Sequence, residues 1–411
     1  MIRLYDFGIW LYGFGLWLAS FFDKKAKLWV QGRQDIFSNI SSQITDNQPT
    51  VWFHCASLGE FEQGRPLIEK IKKDLPDYKI FLTFFSPSGL EIRKNYKYAD
   101  HIFYLPLDTT KNAKQFLKIV QPQIVFFVKY EFWYNYLKQL NQEKIPTYLV
   151  SSIFREDQIF FKPYGSFFKK MLFFFDHIFV QNEYSKSILL ENKVSHVSVA
   201  GDTRVDRVLE IQKNKRSFDE IIFFKGNTEI LIGGSTWPSE EDILIKWIYT
   251  QNDLHWKFII APHDISEHRL LEIEKKLNVN SVRFSKANAL NSAAAKVMII
   301  DNIGMLSSLY QYGKIALIGG GFGNGIHNTL EPITFGLPVI FGEKYQKFEE
   351  ANKLVETGGG YSIKNYDEFN YIMKSLENDD FYNNASTNAE KYVLKNQGAT
   401  MKIFDFIFKG K

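Results

Sequence analysis

The residues of this chain best suited to chemistry stand just behind short apolar runs. The run 51–55 (VWFHC) leads into Ala56-Ser57-Leu58-Gly59-Glu60, a small-residue turn that delivers a carboxylate to the start of the next helix. A general base suits that position; so does a first-turn acid that only complements the helix dipole, worth ~0.3–1 kcal/mol. A second carboxylate, Glu131, follows 124–130 (IVFFVKY), and two carboxylates at strand ends could face one cleft. Farther on, Gly201-Asp202-Thr203-Arg204-Val205-Asp206 supplies a guanidinium. It could grip an anionic leaving group in bidentate fashion, or pair with Asp202 or Asp206.

The second half carries Gly233-Gly234-Ser235-Thr236, then Pro262-His263, then the densest motif, 319–332 (GGGFGNGIHNTLEP). So much glycine lets a backbone approach a ligand closely. No G-x-G-x-x-G fits it and the chain has no G-x-x-x-x-G-K-[ST], so dinucleotide and P-loop chemistry lose support. The motif reads as a loop feeding a helix amino terminus that favours a phosphate, with Asn328 as a possible cap and Glu331 three residues on. Whether that helix starts near Asn328 or at Pro332 stays open. An ordinary glycine turn accounts for the glycines but not for the polar cluster His327, Asn328 and Glu331.

These residues must be held by strands. Short β-rich runs fall at 51–55, 79–85, 102–105, 124–130, 146–151, 177–181 and 197–200, and again at 229–233, 256–261, 297–301, 314–319, 338–341 and 360–363, mostly with helical patterns between them. Continuous apolar strands with helical connections predict two doubly wound parallel sheets in tandem, with ligands beyond the carboxyl ends of the strands. The polar stretch 212–227 is the best linker candidate. A length of 411 residues fits two or three domains.

The uncharged apolar run 7–22 would make a helix of about 24 Å, short of a ~30 Å hydrocarbon core unless 2–6 join it. Lys24, Lys25, Lys27 and Arg33 follow it, and Trp10, Trp17 and Trp29 suit an interface, so membrane attachment with a cytoplasmic body is expected over a buried first helix. The stretch 159–179, Phe-rich with interleaved lysines, is either a second lipid-facing patch or a core segment with snorkelling lysines. The single cysteine, Cys55, excludes an internal disulfide, and the scattered histidines predict no metal site. A net charge of +4 makes no case for nucleic acid.

In its order of motifs the chain resembles the 3-deoxy-D-manno-octulosonic acid (Kdo) transferases of lipopolysaccharide assembly. FHCASLGE resembles that family's FHAVSVGE, which implies that Glu60 is the proton acceptor. KYEFWYN resembles METELWPN and implies a functional Glu131, and AGDTRVD resembles GNLKFD, with Arg204 where the family has lysine. Pro262-His263 matches the family's PRH without its arginine, and Ile303-Gly304-Met305 aligns with MGE. GIHNTLEP matches GGHNPLEP, which implies nucleotide contacts from Asn328, Thr329, Leu330 and Glu331.

The resemblance further implies a GT-B fold, α/β, in which two Rossmann-like domains face a central cleft behind an amino-terminal membrane-associated helix. The corresponding division is 1–33 for the membrane segment, 34–210 for the acceptor domain and 211–411 for the nucleotide-sugar domain, whose last helix could pack back on the acceptor domain. The implied activity is inverting transfer of Kdo from CMP-Kdo to the lipid A precursor (lipid IVA) at the cytoplasmic side of the inner membrane. Its implied partners are those substrates and membrane lipids, with no metal or resident cofactor. The alternatives are a UDP-sugar transferase or epimerase of the same fold and a non-catalytic membrane adaptor.

Overall fold

The computed structural model describes residues 2–44, 48–250 and 255–410. The first sheet contains β1 (Thr50–Cys55), β2 (Lys79–Phe84), β3 (His101–Tyr104), β4 (Ile124–Val128), β5 (Thr147–Ser152), β6 (His177–Val180) and β7 (Val197–Val199). The second contains β8 (Glu229–Thr236), β9 (Trp256–Pro262), β10 (Ser281–Arg283), β11 (Val297–Ile299), β12 (Ile315–Ile318), β13 (Val339–Gly342) and β14 (Gly360–Ile363). Every pairing is parallel. The orders are β3-β2-β1-β4-β5-β6-β7 and β10-β11-β9-β8-β12-β13-β14. Only β10 has no counterpart among the expected runs; three residues with a polar start carry too little apolar signal, and the strand exists by pairing with β11 at the sheet edge.

Period-two alternation builds two apolar layers on the first sheet. Trp52, Phe81, Val125 and Phe127 enter one cluster, while Val51, Phe53, Leu82 and Phe126 enter the other. The helix Leu58–Asp74 covers the second layer with Phe61, Leu67, Ile68 and Ile71, and the last helix, Ala399–Phe408, adds Ile403, Phe404 and Ile407.

The chain divides into two units, Met1–Asp206 with Gln397–Lys411, and Arg207–Asn396. The carboxy-terminal return is pinned by Asp206, whose carboxylate accepts the backbone N–H of Gly398 at 2.5 Å and of Thr400 at 2.7 Å. The stretch 212–227 is not a linker. The division falls inside the helix Thr203–Lys213, and the helix Asp219–Lys225 buries Ile221 and Phe224 against the second unit.

The helix Ile2–Ala19 has no buried residue. One side is held by the first unit: the Tyr5 hydroxyl donates to Asp108 at 2.6 Å, and Tyr12 packs on Trp29 and Phe85. The other side is a ladder of rings, Phe7, Trp10, Phe14, Trp17 and Phe21, each 5.2–6.1 Å from the next. Among the described residues no helix is long and apolar enough to cross a membrane. In the second aromatic stretch Phe160, Phe167, Met171 and Phe175 enter the first core, which favours its reading as a core segment.

Candidate active site

In doubly wound sheets ligands gather where the strand order reverses. In the first sheet that point is β1/β4, the two strands that carry Glu60 and Glu131 at their carboxyl ends. Ser57 caps the helix Leu58–Asp74, accepting the Gly59 N–H at 3.2 Å, while its hydroxyl donates to the Glu60 carboxylate. Glu60 is thus a first-turn acid whose rotamer is fixed by the cap, so its structural and chemical readings share one geometry.

Lys129, with φ of 69°, turns the chain out of β4 and hands Glu131 back toward β1. A lysine in the left-handed region is uncommon, and such strain is kept where the local turn is over-determined by its surroundings. Glu131 is buried. Its Oε2 accepts from His54 Nε2 at 2.9 Å and from the Trp133 indole at 2.8 Å. Cys55 is buried, and burial first, then the nearby charges of Glu60 and Glu131, push its thiol well above the ordinary range.

Arg204 lies in the first turn of Thr203–Lys213 with its guanidinium on Asp202, Nε at 2.9 Å and Nη2 at 2.5 Å from Oδ2. The ion-pair alternative is formed, through the Nε–Nη2 edge of the guanidinium and the buried carboxylate of Asp202. The second acid of this motif, Asp206, is the cap of the carboxy-terminal helix.

In the second sheet the order reverses at β8/β12. A depression of about 260 Å³ there is lined by Gly234, Ser235, Gly304, Ser307, His327, Asn328 and Glu331, among others. Glycine is required by close approach: a Cβ on Gly319 would stand 1.9 Å from the Ser235 carbonyl oxygen, and one on Gly321 2.4 Å from the Gly342 nitrogen. Buried Glu240 accepts the backbone N–H of Trp237 at 3.1 Å beside this loop, and burial raises its carboxyl above the usual range.

Rings build the adjoining wall. His263 stacks between Trp237 at 4.7 Å and His327 at 4.6 Å, and the Trp237 indole donates to His327 Nε2 at 3.0 Å. Burial and the neighbouring His263 lower the His327 pKa, in keeping with a neutral ring whose Nε2 accepts.

Several expectations need correction here. The helix after the glycine loop is only Leu330–Ile333, ended by the turn around Gly336, too short for a macrodipole. Its N-cap is Thr329, which makes no side-chain cap bond; Asn328, one residue earlier, accepts the Leu330 N–H at 3.0 Å, and its amide donates to Glu331 at 3.1 Å. Thr329 and Leu330 are fully buried and Met305 nearly so, so a ligand contact at these positions falls to the main chain and not to the side chains. Ile303 is 89% exposed and Pro262 is buried at the end of β9, so of the segment 303–305 it is Gly304, at φ of 90°, that lines the depression. Ser235, left-handed at φ of 52°, and Ser307 were missed as site residues. The signal for Ser235 was its place in GGST directly after a strand.

A family model described as 3-Deoxy-D-manno-octulosonic-acid transferase (kdotransferase) matches residues 31–207, which include Glu60, Glu131 and Arg204. The chain is 29% identical over 326 residues to the 3-deoxy-D-manno-octulosonic acid transferase of Aquifex aeolicus, covering 77% of this chain and 83% of that one. To the enzyme of the same name from Haemophilus influenzae it is 26% identical over 374 residues, 87% and 86% of the two chains. Over most of its length the chain is similar to Kdo transferases.

Among solved structures the chain is similar to the UDP-GlcNAc 2-epimerase of Neisseria meningitidis (TM-score 0.62, 16% identity, 88% of this chain and 100% of that). It is also similar to MurG of Acinetobacter baumannii (TM-score 0.57, 12% identity, 88% and 99%). At those identities the likeness concerns the fold alone, and it is the GT-B fold. In this Kdo transferase relative each of the two sheet reversals carries the polar groups described above.

Proposed function

We propose that this glycosyltransferase moves Kdo from CMP-Kdo to a hydroxyl of the tetraacyl disaccharide lipid A precursor, with inversion at the anomeric carbon. Similarity to Kdo transferases supports Kdo transfer, and the observation that carries the chemical reading is the pair Glu60 and Glu131 at the reversal of the first sheet. The acceptor oxygen bonds to the anomeric carbon as the bond to the CMP phosphate breaks, and the hydroxyl proton passes to Glu60. Such proton removal contributes typically ~10²–10⁴-fold. Glu131, a fixed negative charge, opposes the positive charge that develops on the sugar. The depression lined by Ser235, Ser307, His327, Asn328 and Glu331 is the donor nucleotide site, with CMP-Kdo as substrate and no resident cofactor invoked. Arg204, held through one edge by Asp202, is the positive charge that would stabilise the departing phosphate. The ring ladder of Ile2–Ala19 supports attachment to the cytoplasmic face of the inner membrane, where the lipid acceptor resides.

Mass spectrometry of the lipids after incubating the full chain with the lipid A precursor and either CMP-Kdo or UDP-sugars tests this reading. Kdo-bearing products from CMP-Kdo alone are expected. Turnover of a UDP-sugar without turnover of CMP-Kdo would defeat it.

A further inference from the structure

His54 is wholly buried on β1, paired in register with Thr83 of β2 and placed beside Phe127 of β4. Its two ring nitrogens are both engaged: Nδ1 lies 2.9 Å from Thr83 Oγ and Nε2 lies 2.9 Å from Glu131 Oε2. Thr83 Oγ also accepts from the Trp52 indole nitrogen, which can only donate, at 2.8 Å, so one of its two lone pairs is taken. The threonine hydroxyl has one proton. It has two acceptors in reach, His54 Nδ1 at 2.9 Å and the Phe53 carbonyl oxygen at 3.3 Å; because Nε2 faces a carboxylate oxygen and must carry a proton there, a neutral ring accepts at Nδ1, and we assign the threonine proton to it. His54 Nδ1 then accepts, and the neutral ring carries its proton on Nε2, aimed at Glu131. Trp133 stands 2.8 Å from Glu131 Oε2 and 3.0 Å from His54 Nε2, and its N–H goes to the charged oxygen.

We propose that His54 is a positioning residue for Glu131: the donor chain Trp52, Thr83, His54 supports the Nε2–H tautomer, and that N–H together with Trp133 holds Oε2 so that Oε1 alone is presented to the sugar. Among the described residues no protein donor is found for Oε1, although Glu131 is only 7% exposed. A carboxylate tied by one oxygen cannot turn toward a solvated rotamer as charge develops, and a preorganised charge acts without reorganisation. The inference rests on the reading that Glu131 takes part in transfer.

The test uses the full chain, labelled with ¹⁵N-histidine, and long-range proton–nitrogen spectra in which His54→Gln identifies the His54 signals. A neutral Nε2–H ring is expected. An Nδ1–H ring overturns the proposal whatever the variants do, so a variant that fails to fold does not leave it undecided. In kinetics, His54→Leu should lower kcat at least about tenfold with KM for both substrates within about twofold, the pattern of a lost transition-state interaction. His54→Gln, which restores an N–H donor toward Oε2, should recover most of kcat. Full activity in His54→Leu, or equal loss in both variants, overturns it. Glu131→Gln serves as the separate control: unchanged kcat there removes the role given to Glu131 itself, independently of the tautomer.

Discussion

At the scale of single residues, what distinguishes the site is how little freedom its acids have. Glu60 is locked by the hydroxyl of its own helix cap and Glu131 by two ring N–H groups. Glu60→Gln retains the cap contact and loses only basicity. It should lower kcat at least ~10²-fold with an unchanged melting temperature, so a matching fall in both would assign Glu60 to the fold. His177 illustrates the opposite use of a titratable group. It lies between Phe179 and Phe406 with a hydrogen bond to Ser198, and burial lowers its pKa to about 4. Between about pH 6.5 and 4 the unfolded chain binds a proton that the native ring declines, so stability falls as pH falls through that window. His177→Phe cannot titrate. Urea denaturation at pH 7 and pH 5 should show the wild type losing stability relative to the variant at the lower pH; a gap that does not change would refute the assignment.

At the scale of elements, the glycine loop and the returning helix depend on specific backbone contacts. Gly321→Ala would push a methyl group into the backbone of β13 at Gly342, which cannot yield as a flexible side chain would. We expect a cost of about 1–3 kcal/mol in urea denaturation and a weakened affinity for CMP by calorimetry. Wild-type values for both would show that the loop tolerates the added atom. Asp206→Ala removes the acceptor for two amides at the start of Ala399–Phe408. The expected loss is about 0.5–2 kcal/mol, together with faster amide exchange in that helix; unchanged exchange would mean that the apolar contacts of Ile403 and Phe404 suffice.

At the scale of the whole molecule, the aromatic ladder of Ile2–Ala19 is the feature that the packing of the first unit leaves uncovered. Trp10 and Trp17 are both about half exposed, while Tyr5 and Tyr12 do the anchoring. Replacing Trp10 and Trp17 by glutamate should therefore lower sedimentation with anionic vesicles at least about fivefold without changing the melting temperature. Equal sedimentation would place the lipid contact elsewhere.

The amino-acid sequence alone determined the alternation of strands and helices, because buried parallel strands are continuous apolar runs with turn residues behind them. For the same reason it marked Glu60, Glu131 and the 319–332 loop, which stand at those turns. Tertiary structure decided which of the marked groups have partners. His54 meets Glu131 across 77 residues, Asp206 meets Gly398 across 192, and Arg204 pairs with Asp202. Strand order and register bring distant positions together, and burial then decides whether a side chain such as Thr329 or Leu330 can reach a ligand at all. Neither is a property of any local window of residues.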